Sequence, residues 1–249
     1  MTRILVAGGS GFIGSHLVPL LDAAGCEVTV PTRRRERARH LLVLPKAQVI
    51  ETSLHDDAVL TRLIDRSDAI VNLVGILHGR AGNAAGDEYD VGPDFMKAHV
   101  QLAERLVKAA EARSSDRSRP PLRFVQISAL GVDADQVAQL PSRYLRSKAV
   151  AERIVRASSL DWTILRPSVV FGDGDRFLSL FARLQYWLPV LALASTDARF
   201  QPVHVGNLAR AIRNCLIGAH ALQTRAQTFE VAGPTVYTLE ELIRLAGSA

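Results

Sequence analysis

The run GGSGFIG, residues 8 to 14, limits what this chain can fold into more than any other stretch. It follows a short β-branched run, "RILVA", and precedes apolar residues at helical spacing in "SHLVPLLDAAG". Gly8, Gly11 and Gly14 remove Cβ atoms where a backbone must turn sharply between strand and helix. Such a turn lets the main chain approach a pyrophosphate lying on the helix N-terminus. The glycine spacing alone would fit any tight turn. Placed at the first strand–helix junction of a β-α-β unit, it points to dinucleotide binding.

The rest of the chain supplies that unit. "EVTVPT", "AIVNLVG", "RFVQISAL" and "WTILRPSVV" read as strands. "DAVLTRLID", "FMKAHVQLAERLVKAAEA" and "SRYLRSKAVAERIVRAS" read as helices between them. Alternation of this kind predicts an α/β fold with a Rossmann-type doubly wound parallel sheet covered on both faces. Its 249 residues suffice for one large domain and a small lobe. Residues 1–172 are assigned to the dinucleotide-binding domain, with 200–232 returning to it. Residues 173–199 and 233–249 fit the alternation less well and are assigned to a small, incomplete C-terminal lobe. "RSSDRSRPP", 113–121, reads as a surface loop. The apolar stretch 177–194 is broken by Arg183 and Pro189. A membrane span needs roughly 20 apolar residues, so this stretch reads as a helix lying on a surface or packing in the lobe.

Five arginines lie between residues 33 and 39, just after the second strand. An acid at that strand's end would bind the adenosine ribose and mark NAD. None is present. A guanidinium there instead suits a ribose 2′-phosphate, so Arg33 or Arg34 is the expected clamp and the expected cofactor is NADPH or NADP rather than NAD. Arg37 and Arg39 are assigned to the solvated face of the following helix. A nucleic-acid patch would need a broader basic surface with aromatic or groove-reading elements, and only 6% of residues are aromatic. No nucleic-acid partner is expected. The net charge of +5 favours anionic partners without choosing among them. Cys26 and Cys215 lack metal-ligand spacing, and no His/Cys/carboxylate cluster has it, so neither a disulfide nor a metal is expected. "TRILVAGG" is already a strand and turn, which leaves no targeting segment in view and gives a cytoplasmic expectation.

Tyr144 and Lys148, in "SRYLRSKAVAER", stand at i and i+4 and share a helix face. Beside a nicotinamide, the ammonium can favour the phenolate and let tyrosine exchange a proton with a substrate oxygen. The lysine can also hold the nicotinamide ribose. Ser128, at the end of "RFVQIS", could orient the reacting oxygen or hydrogen-bond locally.

At these motifs the chain resembles the short-chain dehydrogenase/reductase superfamily, in its extended and atypical branch that includes sugar-nucleotide epimerases. "SRYLRSKAVAE", "RPSVVFGDGDRFL", "FQPVHVGNLARAI" and "FEVAGPTVYTLEELI" are more narrowly similar to the NADPH-binding accessory subunits of respiratory complex I and their bacterial relatives. The resemblance implies a tightly held dinucleotide, with Ser10, Gly11, Phe12 and Ile13 on the pyrophosphate and Arg33 and Arg34 on the 2′-phosphate. Leu73, Val74 and Gly75 would follow the adenosine side and ribose. Tyr144 and Lys148 would face the nicotinamide ribose, and Pro167, Ser168 and Val169 would border the nicotinamide. It also implies a respiratory-complex or membrane-surface partner and a place on the inner face of a membrane. Relatives of this type continue for several dozen residues past "LIRLAGSA", so a shortened chain is expected.

Two departures weigh against chemistry. Sugar epimerases carry a second hydroxyl residue after the strand corresponding to "FVQIS", where this chain has Ala129, and the interval from Ser128 to Tyr144 is shorter than theirs. Two functions therefore stand. One is a nucleotide-holding structural or regulatory protein. The other is an NADP-dependent oxidoreductase, epimerase or dehydratase with Tyr144 as acid/base, acting on a small molecule. The departures lean to the first. His99 is expected in structural hydrogen bonding or cofactor contact, His204 near the lobe hinge, and Asn207 as N-cap of the next helix. Asp173 and Asp175 are expected in a turn.

Overall fold

The computed structural model describes residues 1–80, 82, 86–116, 118–175 and 198–248. The apolar stretch 177–194 lies outside the described residues. Seven strands form the central sheet: β1 (Arg3–Ala7), β2 (Glu27–Thr32), β3 (Ala47–Glu51), β4 (Ala69–Asn72), β5 (Arg123–Ile127), β6 (Asp161–Pro167) and β10 (Gln227–Val231). Their order is β10-β6-β5-β4-β1-β2-β3, and every neighbouring pair is parallel. The doubly wound α/β reading is therefore correct. Two short pairs, β7 (Val170–Phe171) with β9 (Val203–His204) and β8 (Arg199–Phe200) with β11 (Tyr237–Thr238), lie apart from the sheet.

Burial explains why the sheet forms. The central strands lose water on both faces, so they carry near-continuous apolar runs. In β1, Ile4 and Val6 join one core while Leu5 and Ala7 join the other. The first core packs beneath α1 (Phe12–Ala23) and the helix Val205–Leu216 through Leu17, Leu21, Leu208 and Ile212. The second lies under α2 (Asp57–Asp65), α4 (Leu102–Ser114) and α5 (Arg143–Ala157) through Leu60, Leu106 and Val155. Between α2 and α4 come a single turn, α3 (Pro93–Phe95), and a π-helical turn, Met96–Gln101.

The structure departs from the sequence reading at the sheet edges. β3 and β10 were not anticipated because an edge strand is only half covered, and "AQVIE" and "QTFEV" carry exposed polar residues in place of an apolar run. "WTILRPSVV" is not one strand. β6 stops at Pro167, after which the Ser168 amide bonds Val231 and the Val169 carbonyl accepts from Val203. The strand order reverses between β1 and β4, and the crevice at the C-terminal ends of these strands is where a doubly wound sheet takes ligands.

Candidate functional site

Four loops converge at that crevice. After β1, Gly8 adopts φ +81, a left-handed conformation that suits glycine, and a Cβ there would stand 3.0 Å from the Val74 amide nitrogen. Gly14 packs on the Gly9 backbone so closely that a Cβ would overlap the Gly9 carbonyl. Gly11 caps α1 without a side-chain bond, leaving the first-turn amides of a twelve-residue helix directed at the crevice. Phe12 and Ile13 form that first turn. Ser10 Oγ lies 3.3 Å from Thr32 Oγ1 at the end of β2.

Thr32 also turns the chain outward, its hydroxyl donating to the Arg34 carbonyl at 3.1 Å. Arg33, Arg34 and Arg37 then line one shallow pocket. None of the three forms an ion pair among the described residues. Arg37 lies exposed on the following helix, as expected, and because that helix is a 3₁₀-helix, Arg35–Leu41, its three-residue turn brings position 37 back beside 34.

After β4, Asn72 holds the next loop. Its side-chain amide donates to Gln126 Oε1 at 3.0 Å, and its Oδ1 accepts from the Val74 amide. Leu73 and Val74 thereby pass over Gly8. A methyl group on Gly75 would meet Lys148 Nζ at 3.2 Å, so only a residue without Cβ leaves the ammonium in place. Sequence reading missed Asn72 and Gln126, since a polar residue at the end of a strand reads as the start of a loop. It also missed the buried Glu152, one turn after Lys148, which takes a bidentate pair from Arg166 at 2.9 and 2.7 Å.

Tyr144 and Lys148 lie on α5 as expected. Lys148 is buried, donates to the Ile127 carbonyl at 3.2 Å, and sits 6.0 Å from the centre of the Tyr144 ring. Burial lowers the ammonium to about 8, the Glu152 charge opposing that fall. Burial also raises the Tyr144 phenol. Without a cofactor beside it, this tyrosine is held as the phenol. Ser128 follows β5 and is buried, and its Oγ has no hydrogen-bond partner among the described residues. The local bond that sequence reading allowed for is absent there. Ala129 packs into an apolar cluster with Val132, Val137 and Leu140, against which Tyr144 also lies. Pro167 ends β6, its carbonyl accepting from the Leu130 amide at 2.8 Å, and Ser168 and Val169 follow it, bonded to Val231 and Val203.

The other residues resolve simply. His99 is in structural hydrogen bonding. Asp173 and Asp175 lie in a turn closed by the Asp175 amide on the Gly172 carbonyl, and the Asp173 carbonyl meets His16 Nε2 at 2.9 Å. Asn207 is not the N-cap. The helix begins at Val205, so His204 caps it, Nδ1 accepting from the Gly206 amide, while Asn207 Oδ1 takes Arg210.

A doubly wound sheet with a glycine cradle after β1 and a Tyr–Lys pair on the helix after β5 defines an extended short-chain dehydrogenase/reductase, a class whose site takes a nicotinamide dinucleotide. The residues fit that group, because Gly8, Gly14 and Gly75 let the turn after β1, the start of α1, the loop after β4 and Lys148 pack together at distances a Cβ would not allow. The chain belongs to the NAD dependent epimerase/dehydratase family, whose profile matches residues 4–228. It is 31% identical over 248 residues to NADH dehydrogenase (ubiquinone) 1 alpha subcomplex subunit 9, mitochondrial, of Arabidopsis thaliana, covering 96% of this chain and 56% of that one. It is 28% identical to the protein of the same name from Dictyostelium discoideum, covering 96% and 61%. It thus spans about three-fifths of the length of these relatives. Among solved structures, UDP-glucuronic acid 4-epimerase from Bacillus cereus, in complex with UDP-glucuronic acid and NAD, superposes with a TM-score of 0.77 at 17% identity, over 99% of this chain and 82% of that one. That likeness is one of fold.

Proposed function

We propose that this protein holds NADPH in a structural or regulatory role, as an accessory-type subunit beside a respiratory complex. The observation that carries the cofactor choice is the set of three arginines, 33, 34 and 37, without an ion pair among the described residues and following a second strand whose C-terminal end carries no acid. Guanidinium forks suit a 2′-phosphate, and NAD offers none. Ser10 to Ile13 would hold the pyrophosphate on the α1 amides, Leu73 to Gly75 the adenosine side, Lys148 the nicotinamide ribose, and Pro167 to Val169 the nicotinamide edge. The unit doing this is residues 1–172 with 200–232.

The holder role is supported by Ala129, which puts an apolar side chain where an epimerase carries its second hydroxyl, and by the relatives named above, which are complex I subunits. Among the described residues no helix is long and apolar enough to cross a membrane. A place in the cytoplasm, peripheral to the inner face of the membrane, goes with this partner.

The Ser128 hydroxyl, without a partner among the described residues, and the Tyr144 phenol favour a second reading, an NADP-dependent oxidoreductase or nucleotide-sugar epimerase/dehydratase. A bound nicotinamide dinucleotide supplies or accepts a hydride. Tyr144 would exchange the proton at the substrate oxygen, with Ser128 orienting that oxygen and Lys148 holding the ribose.

Fluorescence titration tests the cofactor. NADPH should bind at least tenfold more tightly than NADH, and Arg33→Ala with Arg34→Ala should remove most of that preference. Arg37→Ala should remove part of it. Equal affinities in the unmutated protein would refute the phosphate clamp. Mass spectrometry of the copurified nucleotide, followed by a screen against carbonyls, quinones and nucleotide sugars, tests the role. Turnover dependent on Tyr144 would replace the holder by the enzyme.

A further inference from the structure

The π-helical turn Met96–Gln101 is a rare widening of the helix that concentrates at functional sites. It carries His99, which is 2% exposed and has both ring nitrogens engaged. Nε2 lies 3.0 Å from the Ile76 amide nitrogen, and Nδ1 lies 2.7 Å from Ser147 Oγ. An amide can only donate, so Nε2 holds the lone pair and Nδ1 carries the proton. Nδ1 donates to Ser147 Oγ, and the serine hydrogen goes on to the Tyr144 carbonyl at 2.7 Å. One unbroken chain of hydrogen bonds therefore runs from the Leu73–Ile76 loop to the first turn of α5. The imidazole also meets the Tyr144 ring edge-on at 5.8 Å, and its Nε2 would stand 3.7 Å from a methyl on Gly75.

We propose that His99 is a positioning residue, a neutral strut that fixes the Tyr144–Lys148 turn in register with the loop that would carry the dinucleotide ribose. This role rests on the dinucleotide reading above. Burial and the Lys148 charge lower the imidazole to about 2, so it stays in one tautomer and transfers no proton. Protonating Nε2 would break the Ile76 bond and place a second cation near Lys148.

The two ends can be separated by substitution. His99→Gln keeps an acceptor near Nε2 and so the loop end, while His99→Asn keeps a donor near Nδ1 and so the Ser147 end. In unliganded protein, amides of both Leu73–Ile76 and Arg143–Lys148 should exchange at least tenfold faster in His99→Ala. Gln should restore protection to the loop, and Asn to the helix turn. Affinity for 2′,5′-ADP, which the glycine turn and the arginines hold and which touches only the adenosine side of the Leu73–Gly75 loop, should fall by no more than about threefold throughout. NADPH affinity should fall about tenfold in His99→Ala, with the emission of bound NADPH moving toward that of free NADPH. Ser147→Ala should add no further loss to His99→Gln. Unchanged NADPH affinity and emission in His99→Ala would overturn the proposal, as would equal losses for NADPH and 2′,5′-ADP. If His99→Ala does not fold, the Gln and Asn variants decide by the same readouts. An unmutated chain that binds neither ligand removes the function proposed above and this role with it, whereas normal binding with unchanged exchange in His99→Ala removes the strut alone.

Discussion

Burial lowers the Lys148 ammonium to about 8 and raises the Tyr144 phenol, because loss of water disfavours whichever form is charged. In the unfolded chain the lysine holds its proton up to about 10.5. Between about pH 8 and 10.5 the unfolded state therefore binds more protons, and this residue's burden on stability is relieved as pH rises. Below pH 8 the burden is constant. Lys148→Met should accordingly stabilise the unliganded protein at pH 7, by at most on the order of 3 kcal/mol, with the gain shrinking across that window. Chemical denaturation at several pH values measures this, and a gain that grows above pH 8 contradicts it. The same variant should bind NADPH more weakly, which marks the lysine as kept for the site. Ser128 is a parallel case. Its buried hydroxyl has no partner among the described residues, so Ser128→Ala should leave unliganded stability unchanged or raise it by about 1 kcal/mol. A loss of stability would reveal a bond to this hydroxyl. Tyr144, Lys148 and Ser128 could be named from sequence because their types and spacing carry chemistry. Ser147 could not, since a serine inside a helix has no periodic signal and acquires its partner only when α5 packs against the π-turn.

At the scale of elements, the glycine turn and the start of the helix Val205–Leu216 make opposite points. Gly14 lies on the Gly9 backbone, so Gly14→Ala must displace the turn from α1. A tenfold or greater loss of dinucleotide affinity is expected, and titration of a folded Gly14→Ala protein checks it. This turn was legible because only glycine tolerates the approach. The cap of Val205–Leu216 was misplaced by three residues, since asparagine is the better cap by type whereas the β7–β9 pairing ends the extended chain at His204. His204→Ala should cost about 1 kcal/mol in thermal unfolding and Asn207→Ala under about half of that. The reverse ranking would restore the sequence-based cap. β3 and β10 escaped notice for a related reason. Their neighbours across the sheet define them, and little in their own residues does.

Across the whole molecule, dinucleotide binding should stabilise the fold it bridges, because the loops after β1, β2, β4 and β6 meet only in the native sheet. NADPH at 100 times its Kd should add about 2.7 kcal/mol, read as a rise in Tm that NADH at the same concentration does not match. Equal shifts from both would argue against the arginine pocket. The sequence by itself determined the layer architecture, since apolar runs alternating with amphipathic helices can hide their surface only in a parallel sheet covered on both faces. It also determined the glycine turn and the Tyr–Lys pair, whose own members lie close together along the chain. Tertiary structure alone decided that Gly75 faces Lys148 and that His99 spans from Ile76 to Ser147. Those contacts join residues 23 to 73 positions apart. No local periodicity encodes such distances. They are set by the strand order of the sheet and the packing of α4 and α5 upon it.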